Sequence, residues 1–262
     1  MRSDSEDREM RLYEASASID ITERLELEIG DLRKRFGIEE WTSREKLPTI
    51  RRSMINRYFE PLGYVNREPG IQLEWKMEDF FISCGIHYNE SHAFTFIARG
   101  SKSKLAGFDK VFAAFQTIRT RDGQVPHSSA FNGGLVCNVK GFNMELEAFY
   151  GQDPIESYYS SISGEKDNVY FSALKTTISK KFSLNSKVIS VFEPLLLAGI
   201  LVNDIDYIDV NRIQVLLGIN IYFNDNTRLM INGDLILSNH FYNKSKRTLS
   251  GSNAIIQLQI RW

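Results

Sequence analysis

The stretch Ile213-Gln214-Val215-Leu216-Leu217-Gly218-Ile219-Asn220-Ile221-Tyr222-Phe223-Asn224-Asp225-Asn226-Thr227-Arg228-Leu229-Met230-Ile231-Asn232-Gly233-Asp234-Leu235-Ile236-Leu237 decides the fold. In an extended chain Ile213, Val215, Leu217, Ile219, Ile221 and Phe223 share one face, against Gln214, Gly218 and Asn220. Leu229, Ile231, Leu235 and Leu237 then oppose Arg228, Asn232 and Asp234. A period of two marks a strand with one apolar face, and Asn224-Asp225-Asn226 has the chemistry of a tight hairpin turn.

The same alternation recurs in both directions from this hairpin. Leu25, Leu27 and Ile29 alternate with Glu26 and Glu28; Ile71, Leu73, Trp75 and Met77 with Gln72, Glu74 and Lys76. Met144, Leu146 and Ala148 alternate with Glu145 and Glu147, and Ile256, Leu258, Ile260 and Trp262 with Gln257, Gln259 and Arg261. Weaker strands are expected over Arg11–Ile19, Asp79–Tyr88, Ala93–Arg99, Lys110–Arg119, Ala130–Val139, Asn168–Ser179 and Lys187–Val202. These make about a dozen strands, many of roughly eight to twelve residues; spanning a membrane takes about 9–11, whereas globular strands average about 5–6. Met77-Glu78-Asp79 reads as a second tight turn, and Thr120–Ser129 and Ser238–Ser252 as longer polar loops. One short helix is expected, within Thr42–Tyr58.

Alternation alone does not say whether the apolar face meets a second sheet or lipid. Strand length favours lipid, as do aromatics near strand ends (Tyr13, Trp75, Tyr88, Tyr150, Tyr170, Tyr222 and Phe223), where interfacial girdles belong. The terminal aromatic Trp262 points the same way. The expectation is therefore all-β: one antiparallel transmembrane β-barrel over 1–262, apolar face outward and polar face toward a wet interior. Leu25, Leu27, Ile71, Leu73, Ile256 and Leu258 should point out, and Glu26, Glu74 and Gln257 in.

The totals narrow the function. There are 32 Lys plus Arg against 33 Asp plus Glu, so no bulk basic surface recommends a nucleic-acid partner. The most apolar run, Pro194 to Val202, is half the length a transmembrane helix needs. Met1–Glu9 is acidic and polar, unlike a secretory signal peptide. Cys84 and Cys137 lack metal-ligand spacing and read as free thiols in the wall rather than a disulfide. His87, His92, His127 and His240 are scattered, Ser43 and Ser53 have no nucleophile context, and no glycine pattern cradles phosphate. Neither a catalytic site, a metal nor a cofactor is expected.

Three segments carry a family resemblance. Leu12-Tyr13-Glu14-Ala15-Ser16, Leu25-Glu26-Leu27-Glu28-Ile29-Gly30 and Phe36-Gly37-Ile38-Glu39-Glu40 with Thr42-Ser43 occur in order, followed by Arg52 and Gly70-Ile71-Gln72. Together with Leu217–Phe223 and Thr227–Asn232 near the end, this text resembles the phosphate-selective porin O and P family of the bacterial outer membrane. The resemblance implies a barrel of about sixteen strands, of which this chain would lack the signal peptide and the first strands. It further implies trimers, outer-membrane lipid around the wall, and small anions as cargo: phosphate first, pyrophosphate and chloride beside it.

In that family a loop after the Phe-Gly text folds inward to form the constriction. Here the densest cationic text is Arg33, Lys34, Arg35, Arg44, Lys46, Arg51, Arg52 and Arg57. Fixed cations at a narrow point replace the hydration an anion gives up. The candidate anion-path residues are Arg52, which matches a family arginine, with Arg44, Lys46, Arg35 and Arg51. Glu45 stands where the family often has lysine, which weakens phosphate preference. Glu26, Glu28, Glu74, Glu145 and Glu147 in the inward phase weaken an anion-only field as well. The competing expectations are a solvated surface for the cations and, for the whole chain, a non-catalytic soluble or surface β-protein that binds or supports.

Overall fold

The computed structural model describes residues 15–88, 93–120, 127–164, 168–206, 211–238 and 251–260. They form fourteen strands: β1 (Ser16–Thr22), β2 (Leu25–Arg33), β3 (Arg67–Lys76), β4 (Phe80–Tyr88), β5 (Ala93–Leu105), β6 (Phe108–Thr120), β7 (Ser128–Val139), β8 (Phe142–Gln152), β9 (Tyr170–Lys180), β10 (Phe182–Ser183), β11 (Val191–Val202), β12 (Asn211–Asn224), β13 (Thr227–Ser238) and β14 (Gly251–Ile260). All lie in one antiparallel sheet in chain order, with the two-residue β10 alone off the path. Among the described residues no ladder joins β1 to β14. The helices are α1 (Ile38–Trp41), α2 (Met54–Leu62) and α3 (Pro154–Ser163), with one 3-10 turn at Arg44–Lys46. No helix among the described residues is long and apolar enough to cross a membrane.

The period-two text becomes the wall. In the deciding hairpin Ile213 pairs with Leu237 and Ile219 with Ile231. Their faces point out: Leu217 is 62% exposed, whereas Gln214, Leu216 and Asn220 are buried on the inner face. Ile71, Ile256 and Leu258 point out in the same way, and Glu74 points in. Tyr222 departs from the expected girdle. Its hydroxyl donates to Glu193 and accepts from Arg228, on the inner face.

Tight turns gather at one end. Ala106-Gly107 and Lys140-Gly141 have positive φ at both residues, the twist a two-residue hairpin needs. Met77–Asp79 and Asp225-Asn226 turn at the same end. That end also carries the ten-residue connection 181–190, which holds β10, and the opposite end carries the connections 34–66, 153–169 and 203–210. The expected loops lie partly at 121–126 and 239–250, and Tyr13, His92, His240 and Trp262 also fall outside the described residues, as does the 1–14 start. Cys84 on β4 and Cys137 on β7 are free thiols.

The helix expected within Thr42–Tyr58 is resolved into the 3-10 turn and α2. Ser53 caps α2 by accepting from the Asn56 N–H, and Gly63, at φ +80°, ends it. The third helix, α3, stands where no helix is expected. Asp153 accepts from the Ile155 and Glu156 amides, Pro154 opens the first turn, and Gly164 closes it at φ +73°.

Candidate functional site

The connection from Lys34 to Asn66 does not lie outside the strands. It enters the interior from the long-loop end, descends to the short-turn end near Glu45, and climbs back along α2. Its buried apolar side chains, Phe36, Met54, Ile55, Tyr58, Phe59, Leu62, Tyr64 and Val65, pack on inward residues of the wall. Those partners include Ile97 of β5, Ile118 of β6, Phe149 of β8, Phe171 of β9, Leu201 of β11 and Ile236 of β13. One segment touching strands so far apart in the sheet order requires the sheet to roll around it. The core of this molecule is therefore inside the rolled sheet, with the aliphatic belt outside.

Irregular backbone in such a place needs a partner for each peptide group. The wall supplies them from inward positions. Glu147 accepts from the Ile38 N–H at 2.7 Å, Asn232 from Ile50 at 2.7 Å and Gln214 from Met54 at 2.7 Å. Asn220 donates to the Pro48 carbonyl at 2.9 Å, and Gln116 to the Gly63 carbonyl at 3.2 Å. Arg228 donates to the Glu45 and Leu47 carbonyls at 2.9 and 2.8 Å. At the top, the Tyr58 hydroxyl donates to Asp153 at 2.5 Å and that of Tyr64 to the Gln152 carbonyl at 2.8 Å. Burial raises both phenols above the ordinary tyrosine value, and Asp153 adds to the shift.

The loop charges fall into two groups. The first is matched and sunk. Lys175 of β9 sits between Glu147 at 2.5 Å and Glu39 at 3.5 Å, while the Ser53 hydroxyl donates to Glu39 at 2.9 Å. Lys34 donates to the Gly63 carbonyl at 2.6 Å and Glu68 at 2.5 Å; burial lowers its ammonium from the usual lysine value and Glu68 opposes this. Arg52 pairs with Glu40, which also accepts from Asn56 at 3.0 Å. Burial, then the like charge of Arg33, lowers the Arg52 guanidinium from its ordinary value, and Glu39 opposes them. Arg35 pairs with Glu74 and with Glu28 at 3.2 Å.

The second group is Arg44, Lys46 and Arg51. All three are exposed, and none has an ion-pair partner among the described residues. Arg44 and Lys46 sit on the lowest part of the loop, where Arg228 and Gln259 hold the Glu45 carbonyl, and Arg51 stands higher, next to Ile50, whose N–H donates to Asn232. Of the five candidate residues, then, Arg52 and Arg35 have carboxylate partners and Arg44, Lys46 and Arg51 carry uncompensated charge. Of the loop's carboxylates, Glu39 and Glu40 are buried, Glu45 is half-buried and Glu60 is exposed.

Lys175, Asp153 and the amides Gln116, Gln214, Asn220 and Asn232 are not among the expected site residues. All but Asp153, which caps α3, occupy the inward phase of a strand, where water is the expected neighbour. Gly37 was quoted only as part of a motif. At φ +98°, with Phe149 and Glu147 about 3.3 Å from where a Cβ would stand, it lets the chain turn down into the interior. Among the described residues no cluster of His, Cys, Asp or Glu could hold a metal ion.

No protein-family model matches the chain, and no curated protein matches it in sequence. Among solved structures it is similar to an outer-membrane expressed OmpT of Vibrio cholerae, with a TM-score of 0.52 and 9% identity. The match covers 92% of this chain and 78% of that one. At that identity the likeness shows the fold alone, which is that of an outer-membrane β-barrel.

Proposed function

We propose that the protein is a non-enzymatic porin of the bacterial outer membrane that passes small anions, phosphate among them, by passive diffusion. The observation that carries this reading is the inward loop on which Glu39 and Glu40 are buried and matched while Arg44, Lys46 and Arg51 stand exposed and without an ion-pair partner among the described residues. Charge of one sign on a narrow path between low-dielectric walls is poorly screened and concentrates the opposite ion. The outward belt of Ile, Leu and Val suits lipid. The resemblance to the phosphate-selective porins O and P agrees with an inward constriction loop and, in the same reading, with a trimer. Glu45 and the matched Arg35 and Arg52 make the expected selectivity mild.

The test is a planar-bilayer recording with a KCl gradient across the reconstituted protein. Replacing Arg44, Lys46 and Arg51 by Gln together should lower the chloride-over-potassium permeability ratio. Arg52→Ala should lower it too, by a different route, because it removes one cation and leaves Glu40 with only Arg33, 3.9 Å away, as its ion-pair partner among the described residues. Glu45→Lys should strengthen block of chloride current by phosphate. All three effects should shrink near 1 M salt, where the Debye length falls to about 3 Å. Absence of conductance, or a selectivity indifferent to the triple substitution, overturns the proposal; a folded, non-conducting protein would favour a binding or structural role.

A further inference from the structure

A second feature of the interior lies apart from the exposed loop cations. A cavity of about 540 Å³ opens at the short-turn end beside Met77–Asp79, and none of Arg44, Lys46, Arg51 or Arg52 lines it. Arg99 of β5 does line it, and is only 7% exposed. Its guanidinium carbon lies over the Trp41 ring and 4.8 Å from the centroid of Phe81. Among the described residues Arg99 has no carboxylate and no hydrogen-bond partner, and its Nε is buried without one. Lys110 of β6 reaches over the same indole, 4.8 Å from its centroid, and likewise meets no acid among the described residues.

The carboxylates that share the cavity are engaged or peripheral. Glu28 and Glu74 hold Arg35, and Glu74 also faces Lys76 at 3.5 Å. Glu78 and Asp79 are exposed on the turn. Arg35 adds positive charge beside Arg99, and Arg99 beside Lys110. A buried guanidinium with aromatic neighbours alone is under-compensated, since contact with a ring offsets only part of its desolvation. Such contact is made through the flat face and leaves the in-plane N–H fork unused. That fork fits the two oxygens of a carboxylate or phosphate.

We propose that this cavity binds a small oxyanion, a carboxylate or a phosphate, held by the Arg99 fork and Lys110, with the Ser101 hydroxyl on the same face. Arg99 shares its strand face with Ile97, which packs in the interior cluster. The site thus faces away from the lipid side and takes a free anion rather than a lipid headgroup. It needs no current through the molecule, so it stands or falls separately from the conduction proposal.

The test uses the full chain folded in neutral detergent, titrated with inorganic phosphate and separately with acetate. Calorimetry follows binding, as does Trp41 emission with Trp75 and Trp262 replaced by Phe. A saturable response to at least one anion is expected. Arg99→Met should weaken it by at least about tenfold, the loss of a charge-assisted bidentate contact. Arg99→Lys, which retains the charge without the fork, should weaken it less, and Lys187→Gln, at an exposed position that does not line the cavity, should leave it unchanged. Should Arg99→Met fail to fold, as judged by heat-modifiable migration on gels, Lys110→Gln gives the same reading with an expected loss of several-fold. No saturable response to either anion, affinity unchanged in the folded Arg99→Met or Lys110→Gln protein, or a response confined to anionic-lipid micelles would each overturn the proposal.

Discussion

Lys175 shows what a polar residue in the inward phase can be for. It is 3% exposed and bridges two carboxylates from different parts of the chain, Glu147 on β8 and Glu39 on α1. Removing one member of a buried ion cluster leaves uncompensated charge, at a cost of about 3–5 kcal/mol. Lys175→Met should therefore lower unfolding stability in detergent by about that much, and adding Glu147→Gln should recover part of it because an amide oxygen still accepts from Ile38. A loss under about 1 kcal/mol in urea unfolding would mean that the cluster does not hold the loop. Gln214, Asn220 and Asn232 teach the same lesson without charge. Strand periodicity tells which side a side chain faces; it does not tell what stands there. These residues read as facing water, but a segment more than 150 positions earlier in the chain places its peptide groups against them.

At the level of elements, the inward loop and α3 share Asp153, which caps α3 and accepts the Tyr58 hydroxyl. Asp153→Ala should cost about 1–2 kcal/mol through the cap alone. It should also loosen the top of the loop, seen as faster amide exchange in α2 as well as α3; exchange changed in α3 only would uncouple the two. The raised phenols of Tyr58 and Tyr64 give this packing a pH limit. A phenol whose folded value lies above its unfolded value of about 10 contributes its full share below pH 10, and that share is lost as pH rises beyond it. Titration by tyrosinate absorbance should find at least two late phenols whose ionisation coincides with a change in Trp41 emission, while Tyr58→Phe should remove one of them. All phenols titrating together near pH 10 would contradict a closed interior. The strands of this chain were legible because a period of two, sustained over about ten residues, matches an extended chain and no helix. The helix α3 was missed although its text is legible: Asp153-Pro154 and Gly164 signal its ends, and Ile155, Tyr158, Tyr159 and Ile162 recur at helical spacing between them.

For the whole molecule the wall inverts the soluble arrangement, and its two faces should answer differently to the same change. Leu217→Arg places a charge on the outward belt, at an expected cost of about 2–4 kcal/mol if it lies near the bilayer centre. Asn253→Arg, on an exposed stretch of β14, should cost far less; equal losses in folding into lipid vesicles would deny the belt its lipid. A tag in the 239–250 segment should be labelled on whole cells and one at Asn224–Asn226 should not, and the reverse would invert the topology. The alternation made the outward face legible, and the inward loop was an expectation from a resemblance, not from the alternation. Nothing in the alternation spoke of the count. Fourteen strands with β10 off the path leave thirteen around the roll. Each step between neighbours reverses direction, so the first and the last, β1 and β14, run the same way. A ring whose neighbours all oppose one another must have even parity. Joined directly, these two edges would form the single parallel seam in an antiparallel ring; an odd number of further strands, whatever their source, restores the alternation all the way round.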